Sequence, residues 1–171
     1  MEITKIISGG QTGADRAALD AAIACGVPHG GWCPKGRLAE DGPIVSKYNL
    51  RETESEEYPE RTRANVADSD ATLIFSHGPL TGGSLLTQQF AEELGKPCIH
   101  VDLSCFAESE NLEVERDLRA RLECARRSRS TCDCFSEGKN RRFVLNVAGP
   151  RASGDPEIYE AVYQQMLRLL R

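Results

Sequence analysis

Three times in this chain an apolar run of strand length ends in a glycine-bearing turn that passes straight into a helix pattern. EITKIIS leads through GGQTG into an alanine-rich stretch, ATLIFS through HGPLTGG into SLLTQQFAEELG, and RFVLNVAG through PRASGDP into the closing EIYEAVYQQMLRLLR. Strands that alternate with helices pair side by side in parallel, and a parallel sheet must be covered on both faces. The remaining segments fit this scheme. HGGWCP and KPCIHVDL supply further strands, and ERTRANVADSD and ENLEVERDLRARLECARR further helices. The alternation predicts an α/β three-layer fold with a mostly parallel sheet and helices on both faces. At 171 residues it is expected to be a single ligand-binding domain, 1–171.

Burial can be anticipated within the helices. Ile158, Val162, Met166 and Leu169 share one face of the last helix, and Leu86, Phe90 and Leu94 one face of SLLTQQFAEELG. The first helix carries Ala17, Ala18, Ala21, Ala22 and Ala24, apolar around much of its circumference, so an outer face packed on another subunit is expected, as a dimer or tetramer.

Charge and composition exclude several classes. Twenty-one Lys and Arg against 26 Asp and Glu give a net charge of −5, which does not attract nucleic acid. MEITKII has no basic and apolar leader pattern, and no later run is long enough to span a bilayer, so the chain reads as cytoplasmic. Seven cysteines, with no CxxC pair among them, are expected to be thiols. Cys105, Cys124, Cys132 and Cys134 lie in or near one polar stretch, whose alternative reading is a cysteine-based metal or redox centre. No metal site is assigned.

In an open parallel sheet, ligands sit outside the carboxyl ends of the strands. There the first turn, Ser8, Gly9, Gly10, Gln11, Thr12 and Gly13, meets a helix N-terminus, whose free N–H groups and positive dipole end suit an anion. Its spacing is neither GxGxxG nor GxxxxGK[ST], so a dinucleotide fingerprint and a P-loop are both disfavoured. The second turn repeats the device with Ser76, Thr81, Gly82, Gly83 and Ser84, and His77 stands at its mouth. Two such turns on neighbouring strands would form one phosphate cradle. The third loop brings Asn146, Gly149 and Arg151 to the same edge. Arg16 opposes the dipole of its own helix, a conflict an anion would relieve. Lys35 and Arg37, in the loop after the second strand, suit the same oxyanion, and Cys33 beside them is a soft ligand or a packed thiol.

Together, SGGQTGADRAALDAAI, HGGWCPKGRLAEDGPI, LRETESEEYPERTRANVADSDATLIF, GPLTGGSLLT, GKPC and NVAGPR resemble a family proposed to carry the molybdenum cofactor. The resemblance covers most of the chain; residues 104–140 form a variable, cysteine-containing segment outside it. It implies a Rossmann-like nucleotide-binding fold, related to the lysine-decarboxylase-like LOG proteins and the DprA group. It also implies a phosphorylated ligand, either the molybdenum cofactor (molybdopterin) or a nucleotide, and it adds Arg61 and Asn65 to the candidate contacts. LOG phosphoribohydrolases carry PGGxGTxxE, and the nearest match here, Gly82-Gly83-Ser84-Leu85-Leu86-Thr87, ends in Thr87, which has no carboxylate to stabilise a cationic transition state. The chain therefore reads as a binding or carrier protein. The alternative is a nucleotide-processing hydrolase that uses Asp15, Glu40 or Asp41.

Overall fold

The computed structural model describes residues 3–105, 111–128 and 142–171, excluding the side chains of 111–114 and 128. Strands are β1 (Lys5–Ile7), β2 (His29–Gly30), β3 (Trp32–Cys33), β4 (Leu38–Ala39), β5 (Gly42–Pro43), β6 (Arg51–Glu52), β7 (Ala71–Ser76), β8 (Cys98–Asp102) and β9 (Val144–Ala148). Helices are α1 (Ala14–Ala24), α2 (Tyr58–Asp68), α3 (Gly82–Glu93), α4 (Asn111–Ser128) and α5 (Ile158–Leu170).

The central sheet runs β2-β1-β9-β7-β8, all parallel. If β9 is counted first, this becomes 3-2-1-4-5, the doubly wound order. The last strand–helix unit thus occupies the place where such a fold normally begins. β9 lies between β1 and β7, so all three sequence-predicted turns meet at one sheet edge.

Side-chain alternation along the strands divides the layers. Ile6, Leu145, Val147, Leu73 and Phe75 join α1, α4 and α5 in the main core, where Leu118, Leu122, Ile158, Val162, Met166 and Leu169 are buried. The other face carries Thr72 and Asn146, both buried, under α2 and α3. Asn146 donates to the Thr72 hydroxyl at 3.2 Å, so it lies within the sheet and not at its ligand edge.

Two expectations change in detail. On α3 the buried residues are Ser84, Thr87 and Ala91, while Leu86, Phe90 and Leu94 are half-buried and Leu85 exposed. Small residues let this helix sit close to the sheet. On α1, Ala17, Ala18, Ala21 and Ala22 are fully buried within the chain, where α5 packs closely, and only Ile23 and Ala24 face outward. Its apolar circumference is consumed inside the protein, which removes the ground for expecting a second subunit there.

HGGWCP divides at Gly31, where a Cβ would stand 2.2 Å from the Ser8 carbonyl oxygen. β2 stays in the main sheet, and β3 leaves it to pair with β6. Among the described residues, no helix is long and apolar enough to cross a membrane.

Candidate functional site

A cleft of about 440 Å³ opens at the carboxyl ends of β1, β9 and β7. The α2 N-terminus, the β7–α3 loop and the β9–α5 loop form its walls, and Gln11 and Asp15 also line it. Its size falls within the range of small-molecule sites.

The second glycine turn is its open wall. Thr81 precedes α3 without a side-chain cap, and its carbonyl takes the amides of Ser84 and Leu85. The amides of Gly82 and Gly83 have no partner among the described residues. Gly82 needs glycine for its φ of 49°. Gly83 is helical, and a Cβ added to it would meet nothing within 4 Å. Neither packing nor backbone conformation explains a glycine there, although glycine in a helix costs up to about 1 kcal/mol relative to alanine.

Opposite stands an ion pair. Arg61 Nη1 lies 2.9 Å from Asp15 Oδ2, which also accepts the Gln11 amide at 3.2 Å. The two side chains are 15% and 4% exposed. Arg61 Nε is buried without a partner among the described residues. Gly9 makes the arrangement possible: a Cβ there would lie 1.3 Å from Arg61 Nη1. Arg61 also stands over the Tyr58 ring at 5.9 Å.

The first turn is occupied by the chain itself. Gln11 Oε1 accepts the amides of Thr12 and Glu40, and the Ala14 amide donates to Pro150. The Glu40 carboxylate accepts the hydroxyls of Thr12 and Ser153 and the Ser153 amide, while the Thr12 hydroxyl takes the Ala152 amide. Those bonds, Ser153 first and Thr12 next, hold the Glu40 carboxyl below the usual carboxylate range. Arg16 forms a two-pronged pair with Asp41 at 2.5 and 2.7 Å, and its Nε donates to Gly10. This pairing lowers the Asp41 carboxyl and raises the Arg16 guanidinium. Gly13 has a φ of 75°, and a Cβ on it would meet the Pro150 carbonyl oxygen at 2.5 Å.

Of the sixteen sequence-predicted contacts, the cleft therefore gathers Gln11, Arg61, Ser76, Thr81, Gly82, Gly83 and Ser84. Gly9 lies behind Arg61. Ser8 is buried, donating to Val147 at 2.6 Å, and Gly10, Thr12, Gly13 and Arg16 hold the first turn to its neighbours. Lys35 is exposed in a short 3₁₀ turn, and Arg37 donates to the carbonyls of Ile44, Val45, Tyr48 and Leu50, organising the loop around it. Asn65 clasps Trp32 through that residue's backbone amide and carbonyl.

Asp155, Tyr58 and Gly154 line the cleft without having been singled out in the sequence, and Arg151 and His77 also line it. Asp155, in a DP pair before a helix, reads as an ordinary cap. Here its carboxylate lies 2.8 Å from His77 Nδ1. Ser76 is differently held. Its hydroxyl lies 2.6 Å from the Gly78 carbonyl and 2.7 Å from His100 Nε2. A carbonyl only accepts, so the hydroxyl proton goes to Gly78 and His100 donates to Ser76. His100 is thus not poised to take a proton from Ser76.

Among the described residues, no thiol lines the cleft. Burial pushes the Cys33 thiol up, and it lies 3.4 Å from the Arg51 carbonyl; burial also pushes Cys98 up, to about 11. Cys105 and Cys124 are exposed, while Cys132 and Cys134 lie outside the described residues. Among the described residues there is no group of three His, Cys, Asp or Glu side chains placed to hold a metal.

The profile of the Circularly permutated YpsA SLOG family matches residues 6–170. A crystal structure from Syntrophus aciditrophicus SB, of a protein whose name proposes a molybdenum carrier, is 47% identical. The alignment covers 98% of this chain and 94% of that one, with a TM-score of 0.84. No curated protein matches the chain.

Proposed function

This chain belongs to the circularly permutated YpsA SLOG family, and from that premise we propose that its cleft binds a phosphorylated small molecule and that the protein carries the molybdenum cofactor. The anchor is Arg61. Its guanidinium uses one nitrogen on Asp15, has a buried Nε without a partner among the described residues, and lines the same cleft as the uncapped start of α3. A phosphate between them would pair with Arg61 and take the amides of Gly82 and Gly83. Gln11, Thr81 and Ser84 complete the polar wall.

The circular order supports the same location. The β9–α5 loop holds the position of a Rossmann fold's first turn, and the cleft opens where strand order reverses. The choice of molybdenum draws on the likeness to the Syntrophus protein, whose name proposes a molybdenum carrier, and the pterin form is our extension of it to a molybdenum ligand that bears a phosphate. A nucleotide would use the same phosphate anchor. Cleavage of a base from ribose phosphate is not part of the proposal, because the spacing of PGGxGTxxE from Gly82-Gly83 puts Gln89 where the glutamate would stand, and Thr87, whose hydroxyl donates to the Gly83 carbonyl at 2.8 Å, carries no carboxylate either. The reading places the carrier in the cytosol, where Cys25, Cys33 and Cys98 stay reduced.

Native mass spectrometry of protein purified from a molybdate-supplied host tests this directly. The expected spectrum contains a bound species with the mass of a molybdopterin form. A ligand-free spectrum, together with no uptake of cofactor added in solution, would overturn the carrier assignment. Uptake of AMP alone would make the ligand a nucleotide.

A further inference from the structure

The cleft contains several acids and two histidine-centred contacts close by, and their geometry separates those that can exchange a proton from those that cannot. Asp15 is bound by Arg61 and the Gln11 amide. Glu40 is engaged by Thr12 and Ser153, and Asp41 by Arg16; neither lines the cleft. His100 donates to Ser76, whose own proton is directed at Gly78. His77 differs. Its Nδ1 lies 2.8 Å from Asp155 Oδ2, both residues line the cleft, and its Nε2 has no partner among the described residues. The Asp155 side chain is 15% exposed and that of His77 32%, so the carboxylate is held within the wall while the ring reaches water.

A carboxylate on Nδ1 fixes the proton there and leaves Nε2 as the basic nitrogen, the orientation a general base requires. We propose that the cleft is also a hydrolytic site, in which His77 activates water to attack a phosphoanhydride and Asp155 is its positioning residue. This rests on the phosphate-binding reading above and goes beyond it by adding a reaction. His77 Nε2 takes a proton from water as the water oxygen bonds to the terminal phosphorus. The bridging P–O bond breaks, and its electron pair leaves on the inner phosphate, where Arg61 and the α3 amides meet the developing charge. The imidazolium then returns its proton to solvent. A nucleoside diphosphate plus water gives a nucleoside monophosphate, orthophosphate and a proton. Arg151, on the same β9–α5 loop as Asp155, also lines the cleft, with its Nε 4.0 Å from the Glu40 carboxylate. A cleft of about 440 Å³ is large enough for such a substrate.

ADP is the probe. Its binding is measured by calorimetry and orthophosphate release by a continuous assay, across a pH series, with the wild type, His77→Gln and Asp155→Asn. The charged and titratable groups of the same cleft are Asp15, Arg61, Tyr58, Arg151 and Asp155, and the pH series is read against them. The wild type is expected to release one orthophosphate per ADP consumed, with a rate that falls on the acid side. His77→Gln is expected to lose about a hundredfold or more in kcat, with KM within about twofold, and the acid limb disappears. Asp155→Asn, which favours the wrong ring tautomer, is expected to lower kcat with little change in KM, and Asp155→Glu to recover part of it. Thermal melts and ADP calorimetry on each variant separate a folding defect from a chemical one. ADP binding without orthophosphate release, or wild-type turnover by folded His77→Gln, overturns the hydrolytic proposal and leaves the binding reading standing. Absence of ADP binding overturns this proposal and the nucleotide form of the phosphate site, and leaves the pterin form to its own cofactor-uptake test.

Discussion

Arg61 and Gly83 make opposite predictions at the scale of single residues. Removing Arg61 leaves Asp15 charged and buried, so Arg61→Ala is expected to lose about 3 to 5 kcal/mol of stability in urea unfolding, as when one member of a buried ion pair is deleted. Arg61→Met with Asp15→Asn should recover most of that stability and none of the ligand affinity. Gly83→Ala should behave the other way. With nothing within 4 Å of the new methyl group and a helical backbone, the fold should gain up to about 1 kcal/mol while calorimetry shows weaker ligand binding. Equal affinity in Gly83→Ala and wild type would remove the ligand explanation for that glycine. These residues also show what the sequence makes legible. The glycines are readable as turn formers, but that Gly9 makes room for Arg61 depends on a residue 52 positions later. Arg61 itself looks like part of a solvated helix face until the resemblance singles it out. Arg16 and Arg37 are conspicuous cations, yet Arg16 is matched by Asp41 and Arg37 by four backbone carbonyls, because charge alone does not encode its partner.

At the scale of elements, the two glycine turns prove unlike despite similar residues. The turn before α3 is open, whereas the turn before α1 is held by the β4–β5 hairpin, whose tip carries Glu40 and Asp41. The strand–turn–helix units were legible because each is local. The difference between the turns was not, because Glu40, Pro150 and Ser153 reach the first one across long separations. This contact has a pH signature. The folded Glu40 carboxyl lies below its ordinary value, so its contribution is fully present above the unfolded glutamate's value, about 4.3, and is lost as pH falls through the lowered folded one. Chemical unfolding from pH 7 down to pH 3 should show the stability of the wild type falling more steeply in this acid range than that of Glu40→Gln. Parallel curves would mean that the Glu40 carboxylate contributes nothing to the native state.

For the whole molecule, the parallel sheet and its helical layers follow from alternation, but strand order does not. Hydrophobic runs show that strands exist; only the structure shows that the last one enters between the first and β7. Because the order becomes 3-2-1-4-5 when β9 is counted first, a permuted chain that begins at residue 142 and joins Arg171 to Ile3 through a flexible linker should regain the native circular dichroism and ligand binding. A permutant that folds without binding would show that the cleft needs the natural order of connections. The central claim is that one sheet edge offers an open helix start and a buried arginine to the phosphate of a small ligand. Its most direct test is a crystal structure with AMP bound. The phosphate is predicted between Arg61 and the amides of Gly82 and Gly83, with Glu40 still on Thr12 and Ser153. A phosphate seated instead at the first turn in place of Glu40, or outside the cleft, would contradict the claim.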